Sequence, residues 1–355
     1  MSDTLWELAA AEVHAREKEA AEETAEPSWD PSGVCERTVF FMGTKAAFFC
    51  FDRDETPKST LALEYTFGRR ARGHNKPKDI AHFWELGGGT SLSDLIQIPV
   101  TVQNVGVLAV VLILDLSKPN LLFGTAERLL QATQTKVNRA FSDLQRTGGS
   151  RSSKPFAPHR APHILHKDHP DRELINPFPV PLLIIGSKFD IFQDFDSEKR
   201  KVISKTLRFL AHYYGASLIF SSTKSESLMA KTRSFVTHLA FGTERGKSVS
   251  IDPSKPLIIP TGMDSFSQIG ESPYVDVGTF HARNPFDLWK KVFEKFFPPE
   301  HTTSDLKKLK DPAKDPQYSE PQIDSMRAQK DQELEQYKKN ASKSWKGIDL
   351  ELQKN

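Results

Sequence analysis

The chain has little cysteine: 355 residues carry only Cys35 and Cys50. Two thiols cannot build the disulfide framework of a secreted scaffold, so a reducing compartment is expected. It also lacks an excess of either charge. Its 48 basic and 46 acidic residues leave +2, a balance that calls for no polyanion, and nucleic acid is not expected as a partner. The basic stretch RRARGHNKPK (69–78) reads as a solvated hairpin surface. Long hydrophobic runs are missing as well. The longest, VGVLAVVLIL (105–114), ends at Asp115 and falls short of the roughly 20 residues that span a bilayer, so no membrane insertion is expected. The N-terminus, MSDTLWELAA, has neither the basic region nor the cleavage pattern of a signal peptide. A cytosolic protein is the expectation.

Familiar catalytic patterns are absent too. There is no G-x-S-x-G elbow, no H-E-x-x-H and no C-x-x-C pair. His159, His163, His166 and His169 cluster with Asp168 and Asp171. That stretch is polar and rich in proline, with no regular element to fix ligand geometry. It reads as a solvated loop, and no metal site is expected.

What is present is an alternation of strand and helix patterns. Residues 3–23 read as an acidic amphipathic helix, with Leu5, Ala9 and Val13 at helical spacing. EPSWDPSG (26–33) ends it. Strand patterns then cover 38–42, 61–69, 79–86, 105–115, 180–187 and 216–222. Helix patterns cover 91–98, 121–145, 195–214, 224–240 and 284–297. VGVLAVVLILDL, VPLLIIGSKFD and ASLIFSS are nearly continuous apolar runs, as expected of parallel strands buried on both faces. Residues 61–69 and 79–86 are too close for a crossover helix and suit an antiparallel hairpin. The expected fold class is therefore α/β, a P-loop GTPase-like mixed and mostly parallel sheet with helices on both faces, plus terminal helices. Three regions follow: 1–36, an amphipathic helix and linker; 37–300, the α/β domain, with a mobile polar insertion at 146–178; and 301–355, an extended segment and helical tail. The tail carries a sparse stripe of Ile323, Met326, Leu334, Tyr337, Ala341, Trp345 and Ile348, too polar to form its own core. Helix 284–297 reads as a core-packing element.

A GTPase site needs a glycine-rich loop whose amides wrap the phosphates and whose lysine reaches them. TVFFMGTKAAFFCFDRDE (38–55) begins like such a loop and then departs from it. Gly43 matches the first glycine. Lys45 comes four residues too early, and Phe48 stands where the second glycine should be. The sixteen residues between Gly43 and Thr60 are too few for a loop, a helix and a switch, so the first helix is missing or stunted. Thr60 takes the place of a switch threonine, or is an ordinary strand-edge residue. WELGGG (84–89) puts Glu85 and Gly88 where an Asp-x-x-Gly motif would fall, followed by Gly89 and not a carboxamide. The plain alternative is a glycine turn after a strand. The base-reading end is fuller. Ser187-Lys188-Phe189-Asp190 resembles Asn-Lys-x-Asp, and Ser222-Thr223-Lys224 stands near a Ser-Ala-Lys contact. Both fall at strand C-termini, where such folds bind ligands. These nine residues, Gly43, Thr60, Glu85, Gly88, Ser187, Lys188, Asp190, Ser222 and Lys224, form a degenerate guanine-nucleotide site. Phosphate contacts supply most affinity and the catalytic electrostatics. No catalytic residue, no enzyme activity and no bound GTP or GDP are therefore expected.

DRDETPKSTLALEYTFGRRARGHNKPKDIAHFWELGGGTSLSDLI, PFPVPLLIIGSKFDIFQDFDSEKRKVISKTLRFLAHYYGASLIF and LWKKVFEKFFPP resemble the dynein light intermediate chain family, in its cytoplasmic dynein 2 branch. The resemblance implies a GTPase-like domain that binds the dynein 2 heavy chain and other dynein 2 subunits as a non-catalytic accessory. It also implies a part in retrograde intraflagellar transport and cilium assembly, with location in cytoplasm, cytoskeleton, cilium, basal body, axoneme and centrosome. The sequence departs from the family after the first strand. Relatives carry a Gly-Gly-Lys-Thr run followed by helical residues, whereas Ala46 to Phe51 close that gap here.

Overall fold

The computed structural model describes residues 36–43, 60–71, 78–148, 169–244, 246, 248–271, 284–299 and 319–352, with side chains of the last helix described as far as Ala341. The expected N-terminal helix, the shortened loop after Gly43 and most of the histidine stretch lie outside these residues. The chain divides into two compact units, Met1–Glu300 and His301–Asn355.

The first unit is built on a seven-stranded sheet. Its strands are β1 (Glu36–Gly43), β2 (Leu63–Arg70), β3 (Asp79–Leu86), β4 (Leu108–Asp115), β5 (Leu182–Ser187), β6 (Ser217–Phe220) and β7 (Ile258–Ile259). They lie in the order β2-β3-β1-β4-β5-β6-β7. β3, β1, β4, β5 and β6 run parallel to one another. β2 and β7 run antiparallel at the two edges. Every residue of β4 is buried, as a strand covered on both faces requires.

Helices cover both faces. α1 (Pro119–Gly148) starts with proline at its first position, where no backbone N–H is needed. It buries a stripe of Leu122, Ala126, Leu129, Leu130, Thr133, Val137 and Ala140 at the spacing of one helix face. A short α2 (Phe189–Phe192) follows β5. α3 (Ser197–Tyr213) is capped by Asp196, which accepts from the Lys199 N–H at 2.8 Å. α4 (Glu226–Phe241) ends at Gly242, whose φ of 64° closes the helix in the left-handed conformation. α5 (Phe266–Ile269) and α6 (Pro285–Phe296) complete the unit. α1, α3 and α6 share one core cluster with Phe40, Leu112 and Leu218, while α4 packs with Val39, Phe41, Phe83 and Ile113 on the other face. Phe41 and Phe83 are buried there. Each such side chain contributes about 1.5–3 kcal/mol by leaving water.

The core-packing reading of 284–297 holds. Phe286 and Phe293 of α6 meet Phe123 of α1 with ring centroids 5.3 and 5.9 Å apart, and Trp289 stacks on Phe209 at 4.7 Å. Three expectations are corrected. The 91–98 helix is a 3-10 helix over Gly89–Gln97, kinked at Leu92. Residues 105–107 form a short 3-10 turn before β4 and not its first part. The insertion expected at 146–178 does not continue as solvated loop to its end. α1 runs to Gly148, and Asp171, Phe178 and the intervening backbone pack on α3. The Asn176 and Phe178 N–H groups donate to the carbonyls of Tyr213 and Tyr214. An aromatic and a buried carboxylate anchor what composition alone reads as polar.

Among the described residues the second unit holds one helix, α7 (Pro321–Leu352). Ile323, Met326, Leu334 and Tyr337 are half to three-quarters exposed, so the described side chains of this helix form no core of their own.

Candidate functional site

The parallel strands end together, and the residues singled out above lie at those ends in two groups. The first belongs to β5 and β6. Lys188 is the sole non-glycine described residue with positive φ, at 60°, a conformation that costs an L-residue about 1–2 kcal/mol. The neighbours that hold it there are identifiable. Its carbonyl accepts from the Ile191 and Phe192 N–H groups at 3.1 Å each, opening α2. Its ammonium reaches Asp115 Oδ2 at 2.6 Å. Asp115 ends β4 in register with Ser187, and Ser187 Oγ donates to the Leu114 carbonyl at 3.1 Å. Asp115 also accepts from the N–H and hydroxyl of Ser117. Burial raises the Asp115 carboxyl, but Lys188 and Ser117 together hold it below the ordinary carboxylate value.

Asp190 stands beside this pair. It accepts from Ser222 Oγ at 2.7 Å and from Lys224 Nζ at 2.8 Å. Ser222 Oγ also receives the Lys224 N–H at 3.2 Å. The Lys224 ammonium, then the Ser222 hydroxyl, draw the Asp190 carboxyl down. The structure thus brings Ser187, Lys188, Asp190, Ser222 and Lys224 to one corner. Asp115 belongs there as well and was not among the sequence candidates. Its one sequence signal is a carboxylate ending a continuous apolar run.

The second group belongs to β1, β2 and β3. Gly43 has φ 151°, and a Cβ there would lie 1.9 Å from the Ile113 carbonyl oxygen. Strand packing against β4 therefore demands glycine whether or not a phosphate ever approaches. A Cβ at Gly87 would fall 2.3 Å from the Thr60 carbonyl, and Gly88 takes φ 73°. Thr60 Oγ1 donates to Glu64 Oε2 at 3.1 Å and also contacts Glu85. Glu64 and Glu85 are direct cross-strand partners, a repulsive arrangement when both are ionised. Burial pushes the Glu85 carboxyl up to about 7; the Thr60 hydroxyl draws it back and the Glu64 carboxylate raises it further. Gly43, Thr60, Glu85 and Gly88 are thus gathered, and the charge they bring is negative.

A different polar cluster lies where β6 begins. Arg208 of α3 makes a bidentate pair with Asp264 at 2.8 and 2.7 Å, both side chains almost fully buried. His212, one turn on, meets Asp171 Oδ2 at 2.8 Å, and the Phe266 N–H donates to the same oxygen at 2.7 Å. Burial depresses the His212 imidazole despite the Asp171 carboxylate. Asp171, counted in the histidine stretch from sequence, is therefore a structural staple. Among the described residues no group of three or more His, Cys, Asp or Glu could hold a metal ion, and no helix is long and apolar enough to cross a membrane.

Strand order, the antiparallel β2 edge and the corner at the ends of β5 and β6 define a GTPase-like α/β domain. No protein-family model matches the sequence. Whole-chain relatives do. A cytoplasmic dynein 2 light intermediate chain 1 of Danio rerio is 66% identical, covering 99% of this chain and 98% of its own. Those of Bos taurus and Homo sapiens are 56% and 55% identical, each covering 99% of both chains. A solved dynein light intermediate chain conserved domain aligns with TM-score 0.47 at 15% identity, over 78% of this chain and 99% of that one. The chain belongs to the cytoplasmic dynein 2 light intermediate chain family.

Proposed function

We propose that this chain is a non-catalytic accessory subunit of the cytoplasmic dynein 2 motor. In this reading it binds the motor's heavy chain and supports retrograde intraflagellar transport and cilium assembly. It works in the cytoplasm and cytoskeleton, at the cilium, basal body, axoneme and centrosome. Family membership over the whole length supports the motor assignment.

One observation carries the non-catalytic part: the asymmetry of the strand-end site. A triphosphate needs amides and cations around it. Among the described residues the phosphate side offers Glu85 and Glu64. The two lysines of the base corner are engaged, Lys188 with Asp115 and Lys224 with Asp190. Gly43 is accounted for by its approach to Ile113. In this reading no GTP or GDP is held, and the domain acts through its shape.

A second reading, a guanine-nucleotide-gated switch that regulates motor assembly, draws on the Asp190–Ser222–Lys224 corner. Capture of the dynein 2 heavy chain separates the two readings. It should be compared for this chain and for a version carrying Gly-Gly-Lys-Thr and its helical residues after Gly43. Equal capture, unaffected by added GTP or GDP, supports the accessory subunit. Capture by the restored version alone, and in a nucleotide-dependent way, supports the switch.

A further inference from the structure

The sheet's two edges are finished differently. At one side β7 is two buried residues long, and Ser250 and Ile258 exchange N–H···O bonds at 2.8 and 2.9 Å across it. That edge is short and covered, as edges in soluble proteins commonly are. At the other side β2 runs for eight residues in unbroken register with β3, from Leu63↔Leu86 to Arg70↔Asp79, without a bulge. Among the described residues nothing pairs with its outer side.

One face of this edge strand also carries large apolar groups. Tyr65 and Phe67 are 46% and 50% exposed. They share a face with their β3 partners Trp84 and His82. Tyr65 is fixed by its hydroxyl on His82 Nδ1 at 2.8 Å and by its ring 4.9 Å from Trp84. The Arg69 guanidinium lies 5.0 Å from the Phe67 ring centroid. The platform is therefore held in place before any partner arrives.

Hydrogen-bond parity limits what can add to it. The Gly87 N–H donates to the Ala62 carbonyl at 2.7 Å. Paired and unpaired positions alternate along an antiparallel ladder. Even-numbered residues of β2 thus bond inward to β3, and the N–H and C=O groups of Leu63, Tyr65, Phe67 and Arg69 point outward. A new antiparallel strand must place its own outward-facing residues opposite these.

The sequence of β2 meets that condition with itself. In a two-fold arrangement centred on Phe67, Phe67 faces Phe67 and Tyr65 faces Arg69 as hydrogen-bonded pairs. Glu64 then faces Arg70 as a close, non-hydrogen-bonded pair, and Thr66 faces Gly68. The acidic end of each strand meets the basic end of the other. Every arginine meets an aromatic ring or a carboxylate, contacts that favour antiparallel pairing. Charges on an edge ordinarily forbid addition. Here their order permits the two-fold antiparallel register, whereas a parallel in-register pairing would set arginine against arginine. From this complementarity we infer that β2 is an isologous self-association edge, through which a second copy of this chain continues the sheet.

Sedimentation velocity on the full chain over a concentration series tests this, with circular dichroism to verify folding. The expected result is a concentration-dependent shift from 40.0 kDa toward twice that mass. Glu64→Arg and Arg70→Glu, both at exposed positions, each remove the shift, and the double exchange Glu64→Arg/Arg70→Glu restores it. Phe67→Pro removes an outward N–H without touching the β3 ladder and abolishes association in either background. A chain that stays at 40.0 kDa throughout overturns the inference and leaves the edge to a strand from another protein. So does a dimer indifferent to the single reversals, or a folded double exchange that fails to recover association.

Discussion

The molecule holds two sets of aspartate pairs, one with arginine and histidine and one with lysines, put to different ends. Where β6 begins, Arg208–Asp264 and His212–Asp171 are sealed inside, with each carboxylate meeting more than one donor. At the strand ends, Lys188–Asp115 and Lys224–Asp190 keep their lysine side chains in water, 45% and 76% exposed, while Asp115 itself is nearly buried. The buried set joins α3 to segments 171–178 and 260–271 and cannot change partners without unfolding. An ion pair by its composition says nothing of function; its burial and the groups around it decide.

The sharpest way to break this comparison is to truncate one member of the buried set. Arg208→Ala leaves Asp264 charged and enclosed, which costs about 3–5 kcal/mol, and chemical denaturation should show a loss of that size. A loss below about 1 kcal/mol would place the pair with the surface set. The next effect concerns Glu85, whose folded value near 7 stands above its ordinary 4.5. Below 4.5 both folded and unfolded chains hold that proton and stability is unaffected. Between 4.5 and 7 the folded chain alone holds it, so stability falls as pH rises, and above 7 the full penalty applies. Glu85→Gln should therefore stabilise the protein at pH 8 by on the order of 2–3 kcal/mol and leave it unchanged at pH 4; denaturation at the two pH values reads both. A smaller effect, about 1–2 kcal/mol, is expected for Lys188→Ala, which removes the cation from the nearly buried Asp115. The change should appear in the melting temperature and in an upward shift of the Asp115 carboxyl by NMR titration. The smallest belongs to Asp190→Asn, where the partner Lys224 is exposed. Stability should move by less than about 0.5 kcal/mol, and heavy-chain capture should not change.

Much of the fold was legible because its signals were local. Continuous apolar runs marked β4, β5 and β6 as interior parallel strands. The short span between β2 and β3 marked an antiparallel edge pair. β7 was not legible: two isoleucines make no pattern, and they form a strand because β6 lies beside them. Nor was α2, which depends on the left-handed backbone of Lys188. The base corner was readable because Asp190, Ser222 and Lys224 sit in short motifs at strand ends. Asp115 was missed because its role depends on a lysine 73 positions away. Asp264 and Arg208, 56 positions apart, were invisible for the same reason.

After Gly43 the sequence runs Thr44-Lys45-Ala46-Ala47-Phe48 where a Gly-x-x-x-x-Gly-Lys loop would stand, and the proposed non-catalytic role depends on that departure. The most direct measurement is to heat-denature the purified chain, clear the precipitate and assay the supernatant for guanine nucleotide. No nucleotide above a trace is predicted; GDP or GTP released in equal amount to protein would contradict it.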